Sequence, residues 1–136
     1  MRILIVDDDI TSGLVMQKML SRYGETTITT DGRQALETFK EHILKKGPFD
    51  LMFLDIMLPE MDGQEVLKNI RDFEEQNWIF GSDGIKIIMT TALDDNKNIM
   101  AAFRSQCEGY IVKPISLSKI RTQMQALGFP ELPDKK

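Results

Sequence analysis

The chain has 136 residues, 42% of them hydrophobic, which is enough for one domain with a core of its own. Its 17 basic and 21 acidic residues leave a net charge of −4, and the basic ones are scattered rather than striped, which argues against a free-standing nucleic-acid binder. No apolar run approaches the roughly 18 residues of a membrane span, the opening run is too short for a signal peptide, and the lone Cys107 excludes an internal disulfide or cysteine metal cluster, so a reduced, cytoplasmic setting is expected.

In chain order, the first predicted strand is Ile3–Val6. It runs into Asp7-Asp8-Asp9 and a helix whose Met16, Met19, Leu20 and Tyr23 recur at i, i+3, i+4, i+7, with Asp9 as its cap. Thr26–Thr29, the most polar run, is placed at a sheet edge. A second helix follows a cap at Asp31 and Gly32 and turns Ala35, Leu36, Phe39 and Ile43 inward. His42, beside that stripe, reads as solvated or partly packed rather than as a phosphodonor or ligand. The third strand, Leu51–Leu54, ends at Asp55, and Val66, Leu67, Ile70 and Phe73 mark the third helix. The connection Glu74–Gly84 is long and holds Trp78-Ile79-Phe80. Its aromatics are expected to cover the domain's own core, with a partner or dimer contact as the lesser reading. The fourth strand, Ile85–Met89, leads into Thr90-Thr91, and the fourth helix starts behind Asp94-Asp95 with Ile99, Ala102 and Phe103 as its inner face. Tyr110–Val112 is the fifth strand, ending in Lys113-Pro114. Ser116 caps a fifth helix carrying Leu117, Ile120, Met124 and Leu127, and Gly128, Pro130 and Pro133 stop it before a frayed Asp134-Lys135-Lys136 tail. The nine methionines read as flexible core filler.

Strict β-α alternation with short connections predicts an α/β fold, a parallel sheet covered by helices on both faces. Ligand sites in such sheets form beyond the carboxyl ends of the strands, which directs attention to Asp7, Asp55, Thr91 and Lys113. Each has an ordinary explanation alone, as a cap, a strand-end hydroxyl or a solvated charge. Together they are a different proposition. Carboxylates of Asp7, Asp8 and Asp55 converging on one rim repel and raise one another's pKa, and a hard divalent cation such as Mg²⁺ resolves that conflict. An aspartate is an accepted nucleophile toward phosphorus, Thr91 offers a hydroxyl donor, and Lys113 can neutralise phosphoryl charge.

The stretches Ile3–Asp9, Leu54–Gly63, Met89–Ala92 and Gly109–Pro114, in that order, resemble the receiver (CheY-like) domains of two-component response regulators over residues 1–127. The resemblance implies a single doubly wound five-stranded parallel sheet of flavodoxin-like order 2-1-3-4-5 with five flanking helices. It implies that Asp55 is the phosphoacceptor, taking a phosphoryl group from a histidine kinase or phosphotransfer protein. Asp7, Asp8, Asp55 and the Met57 backbone carbonyl would hold Mg²⁺. Thr91 and the Ala92 backbone would bind phosphate with Lys113, Tyr110 would be the aromatic switch, and Lys113-Pro114 a cis peptide. A downstream protein would read the helix 4–strand 5–helix 5 face near Lys97, Met100, Arg104, Tyr110 and Lys119, with no direct nucleic-acid or membrane contact. On this reading the chain is a regulatory phosphoacceptor rather than an enzyme, with residues 128–136 a short tail and no output domain. Met57 and Leu93, which flank the path of hydrolytic water in this family, are both apolar here. The main rival is a haloacid-dehalogenase-type phosphohydrolase with Asp7 as nucleophile, since Asp7–Thr11 fits its D-x-D-x-T start. It leaves Asp55 unexplained and lacks a later acidic pair.

Overall fold

The computed structural model describes residues 1–92 and 96–133, so the expectations for Leu93, Asp94-Asp95 and the last three residues lie outside the described residues. Among the described residues, five strands alternate with five α-helices: β1 (Arg2–Val6), α1 (Ile10–Leu20), β2 (Glu25–Thr29), α2 (Gly32–Glu41), β3 (Leu51–Asp55), α3 (Gly63–Gln76), β4 (Lys86–Thr91), α4 (Asn96–Arg104), β5 (Gly109–Val112) and α5 (Leu117–Leu127). All strands are parallel, in the order β2-β1-β3-β4-β5. The polar run β2 is at an edge, as its composition predicts. Among the described residues, no helix is long and apolar enough to cross a membrane.

Alternate residues of the continuous apolar strands feed two separate cores, because successive strand side chains point to opposite faces. Leu4, Val6, Met52, Leu54, Ile87 and Met89 pack with the inner faces of α2 and α3 and with Ala102. Ile3, Ile5, Leu51, Phe53, Ile88 and Ile111 pack on the other side with Met16, Leu20, Ile120 and Met124 of α1 and α5. The helix starts follow from side-chain caps: Asp9 accepts from the Thr11 N–H, Asp31 from Gln34, Asp62 from Glu65 and Ser116 from Lys119. At the other end of α5, Gly128 takes the left-handed conformation (φ 78°) that closes the helix. Past α2 the chain continues as one π-turn, His42–Lys46, where His42 stacks on Phe49 with ring centroids 4.1 Å apart.

Three expectations need correction. Trp78 and Phe80 do not cover the core: Trp78 is 84% exposed and Phe80 54% exposed. The chain leaves α3 through a tight left-handed turn at Trp78 (φ 61°), which throws that ring outward, while Ile79 turns back and is half-buried. Phe103 is 42% exposed, since Ile99 and Ala102 fill the inner side of α4 and leave it at the boundary, edge-on to Tyr110. The methionines divide: Met16, Met52, Met89 and Met124 are core, whereas Met57 and Met100 are largely exposed. The segment after α5 folds back, with Phe129 against the second core, the Leu132 N–H donating to the Arg22 carbonyl at 2.7 Å, and Arg121 paired with Glu131 at 2.8 Å.

Candidate functional site

Parallel pairing sets β1, β3 and β4 side by side, so their carboxyl ends deliver polar residues to one rim. Val6 is level with Leu54, and Asp55 with Thr90. Asp7 follows β1 directly and Asp55 closes β3; they are 1% and 3% exposed, whereas Asp8 faces solvent. Ligand oxygens of Asp7, Asp8 and Asp55 all lie within 4.8 Å of one another. The loop after β5 brings Lys113 between the two buried carboxylates, its Nζ 3.1 Å from Asp7 Oδ2 and 2.9 Å from Asp55 Oδ2. The Lys113-Pro114 peptide is cis, as expected, and the Lys113 N–H donates to the Thr91 carbonyl at 2.7 Å, tying this loop to the end of β4.

Both buried aspartates are held by backbone donors two residues on: Asp9 N–H to Asp7 Oδ1 at 2.9 Å, and Met57 N–H to Asp55 Oδ1 at 3.0 Å. These Asx-type turns leave the other oxygen of each carboxylate toward Lys113. Burial pushes the Asp55 carboxyl above its ordinary value, against the hydrogen bonds from Lys113 and Met57; repulsion from Asp7 is the smallest contribution. Loss of water, rather than the mutual repulsion anticipated from the sequence, therefore dominates. Burial would depress the Lys113 ammonium, but the Asp55 and Asp7 carboxylates outweigh it and raise the pKa. The rim thus holds one firmly charged cation shared by two carboxylates, with a third carboxylate open to solvent.

Thr91 is buried at the end of β4 and Ala92 is exposed just beyond it. Tyr110, on β5, points outward and is packed edge-on against Phe103, centroids 6.0 Å apart at 86°. Lys97, Met100, Arg104 and Lys119 are exposed as well. Met57 exposes its side chain and uses its N–H on Asp55. Two contributions went unread in the sequence. A Cβ on Gly63 would collide with the Asp55 carbonyl oxygen and approach Ile56 Cα to 2.8 Å, so this glycine allows α3 to start directly against the end of β3. At the opposite rim, Arg71 of α3 joins the buried Glu74 (2.7 Å) and Glu108 (3.0 Å), which in turn accept the backbone N–H groups of Ile85 and Ile87. The Asp62-Gly63 pair was a visible signal for the first; nothing in periodicity marks a buried acid such as Glu74.

Residues 3–125 match the family model described as the response regulator receiver domain. The chain is 35% identical over 128 residues to regulatory protein VanRB of Enterococcus faecalis, across 93% of this chain and 51% of that protein, so it spans about half that relative's length. To chemotaxis protein CheY-3 of Vibrio cholerae it is 33% identical over 129 residues, across 93% of this chain and 91% of that protein. Among solved structures, the CheX–CheY–BeF₃–Mg²⁺ complex of Borrelia burgdorferi superposes with a TM-score of 0.78 at 25% identity, covering 95% of this chain and 90% of that one.

Proposed function

The chain belongs to the response regulator receiver family of two-component systems, and from that premise we propose that Asp55 accepts a phosphoryl group from the phosphohistidine of a histidine kinase or phosphotransfer protein. The observation that carries the reading is Lys113 bridging Asp55 and Asp7 beside the exposed Asp8. In the step itself, a carboxylate oxygen of Asp55 attacks phosphorus, the phosphorus–nitrogen bond of the donor breaks, and the imidazole leaves as the neutral base after taking a proton. Met57 orients Asp55 through its backbone N–H, and Lys113 is positioned to exchange a carboxylate partner for a phosphoryl oxygen. Thr91 and the Ala92 backbone N–H would donate to the other oxygens.

The donor set suits Mg²⁺, since Asp7, Asp8 and Asp55 supply hard oxygen ligands and the exposed edge at Asp8 leaves room for water. Those residues, with the Met57 carbonyl, would hold the ion, which supplies charge neutralisation for phosphoryl oxygens. The Mg²⁺ and BeF₃ in the similar Borrelia burgdorferi complex support this assignment. The output would run from the added charge through Thr91 to an inward turn of Tyr110, altering the face near Lys97, Met100, Arg104 and Lys119 that a cytoplasmic protein partner reads. Like the family, the domain is a regulatory switch; the only chemistry it would perform is on its own acyl phosphate.

Incubation with a small phosphodonor such as acetyl phosphate and millimolar Mg²⁺, read by intact mass and peptide mapping, tests this. One phosphoryl group on Asp55 is expected, dependent on Mg²⁺ and lost in a folded Asp55→Ala protein. Labelling of Asp7 instead would revive the phosphohydrolase reading.

A further inference from the structure

At the rim opposite Asp55, the structure spends stability on one surface feature. The α3 helix ends in a Schellman turn: Ile79 N–H donates to the Glu74 carbonyl at 2.9 Å and Trp78 N–H to Glu75 at 3.2 Å. The left-handed position of that turn favours glycine, yet it holds Trp78, the only tryptophan in the chain, 84% exposed at φ 61°. Trp78 and Phe80 form a right-angled aromatic corner, centroids 6.2 Å apart at 83°. Backbone strain and exposed aromatic area both count against the isolated domain, and both concern one side chain.

The charges around the corner say what would cover it. The last turn of α3 contains no basic residue, although the carbonyl end of a helix favours cations. Arg71 neutralises Glu74, but the exposed Asp72, Glu75 and Asp83 have no ion pair among the described residues. Asp72 and Glu75 share a cleft of about 600 Å³ with Phe80, Glu74 and Glu108, and Lys68, Arg71 and Arg104 line it too, four carboxylates against three cations. Asp83 sits under Phe80, donating its N–H to the Phe80 carbonyl at 3.2 Å. Elsewhere Lys40 lies over the Phe73 ring at 5.3 Å, so this fold places a cation on an aromatic face internally. Trp78, whose ring is the stronger acceptor of a cation, has no such partner among the described residues.

We propose that Trp78 and Phe80, with Asp72, Glu75 and Asp83 around them, form a docking corner for an arginine- or lysine-bearing segment of a protein partner. The cation would lie on the exposed indole, at the negative end of α3, with the unpaired carboxylates as its counter-charges. An exposed aromatic anchor beside complementary charge is the kind of residue that dominates small interfaces. This surface lies away from the carboxylate rim, so its occupancy does not depend on the phosphoryl chemistry.

The sole tryptophan makes the test direct. The whole chain is titrated with two ten-residue peptides, one rich in arginine and one with glutamate in place of each arginine, following Trp78 fluorescence and the anisotropy of a peptide label. The arginine peptide is expected to change Trp78 emission and to bind, and the glutamate peptide to do neither. Trp78→Gly, which relieves the left-handed strain and keeps the fold, should weaken binding at least about tenfold by anisotropy; Glu75→Gln with Asp83→Asn should weaken it in the same direction. Equal affinity of wild type and Trp78→Gly would overturn the proposal, since generic attraction to an acidic protein would explain it. So would absence of binding by either peptide, a neutral apolar peptide binding as well as the arginine one, or self-association of the chain lost in Trp78→Gly, which would assign the corner to a second copy.

Discussion

Asp55 carries a conflict between solvation and pairing. Its carboxyl sits above the ordinary value because burial outweighs the hydrogen bonds from Lys113 and Met57. A carboxylate with a raised folded pKa binds protons more readily when folded, so its ionised form costs stability. That cost is absent below the unfolded value near 3.8 and fully present once pH has passed the raised value in the folded state. Without Mg²⁺, Asp55→Asn is therefore expected to raise the melting temperature at pH 7, with the gain shrinking as pH falls toward 4. Added Mg²⁺ should reverse the order, because a cation bound only by the native wild type stabilises it by about 1.4 kcal/mol at ten times its dissociation constant. Calorimetry of both proteins at the two pH values, with and without Mg²⁺, checks this; an Asn variant no more stable than wild type at pH 7 without the ion would contradict the burial argument.

At the scale of elements, the two rims of the sheet are built differently. On the carboxyl rim, Gly63 permits α3 to begin against β3, and Gly63→Ala should cost about 2 kcal/mol and lower the rate of phosphodonor labelling by displacing Asp55. On the amino rim, Arg71 links α3 to Ile85, just before β4, and to Glu108 before β5. Replacing it with Met would strand two partly or wholly buried carboxylates and should cost about 3 kcal/mol near neutral pH. Burial already raises the Glu108 pKa, and removing the cation raises it further. The deficit relative to wild type should therefore narrow as pH drops through the carboxylate range, and urea unfolding at pH 7 and pH 5 measures it. This contrast also explains what was legible beforehand. Strands β1, β3, β4 and β5 and the polar residues at their ends announce themselves, because largely buried strands are continuously apolar and polar residues at their carboxyl ends then stand out. Glu74 gave no such signal, since an acid on an amphipathic helix looks solvated until its arginine is located. Trp78 and Phe103 misled because apolar character was read as burial, whereas a left-handed turn and a crowded helix face turned them outward.

At the scale of the whole molecule, the return of the chain after α5 has a consequence for how the fold can be cut. Leu132 shares a shallow cleft with Met1, Arg2 and Glu25, and its N–H is bound to the Arg22 carbonyl, so Met1 and Leu132, near the two limits of the described residues, meet at the amino end of β1. Topologically the domain is almost a closed ring. A short glycine–serine bridge from Pro133 to Met1 needs to span little distance, and the exposed Gly81–Asp83 turn, which contributes no strand pairing, offers a place to open the ring. Such a circular permutant should fold, show the far-ultraviolet dichroism of the parent and label at Asp55, because neither cut nor bridge touches the carboxylate rim. Its new ends would emerge beside Trp78, giving a sensor designer a site for inserting a reporter at the rim opposite the phosphoacceptor; loss of cooperative unfolding in the permutant would show that the Gly81–Asp83 turn is required for the fold.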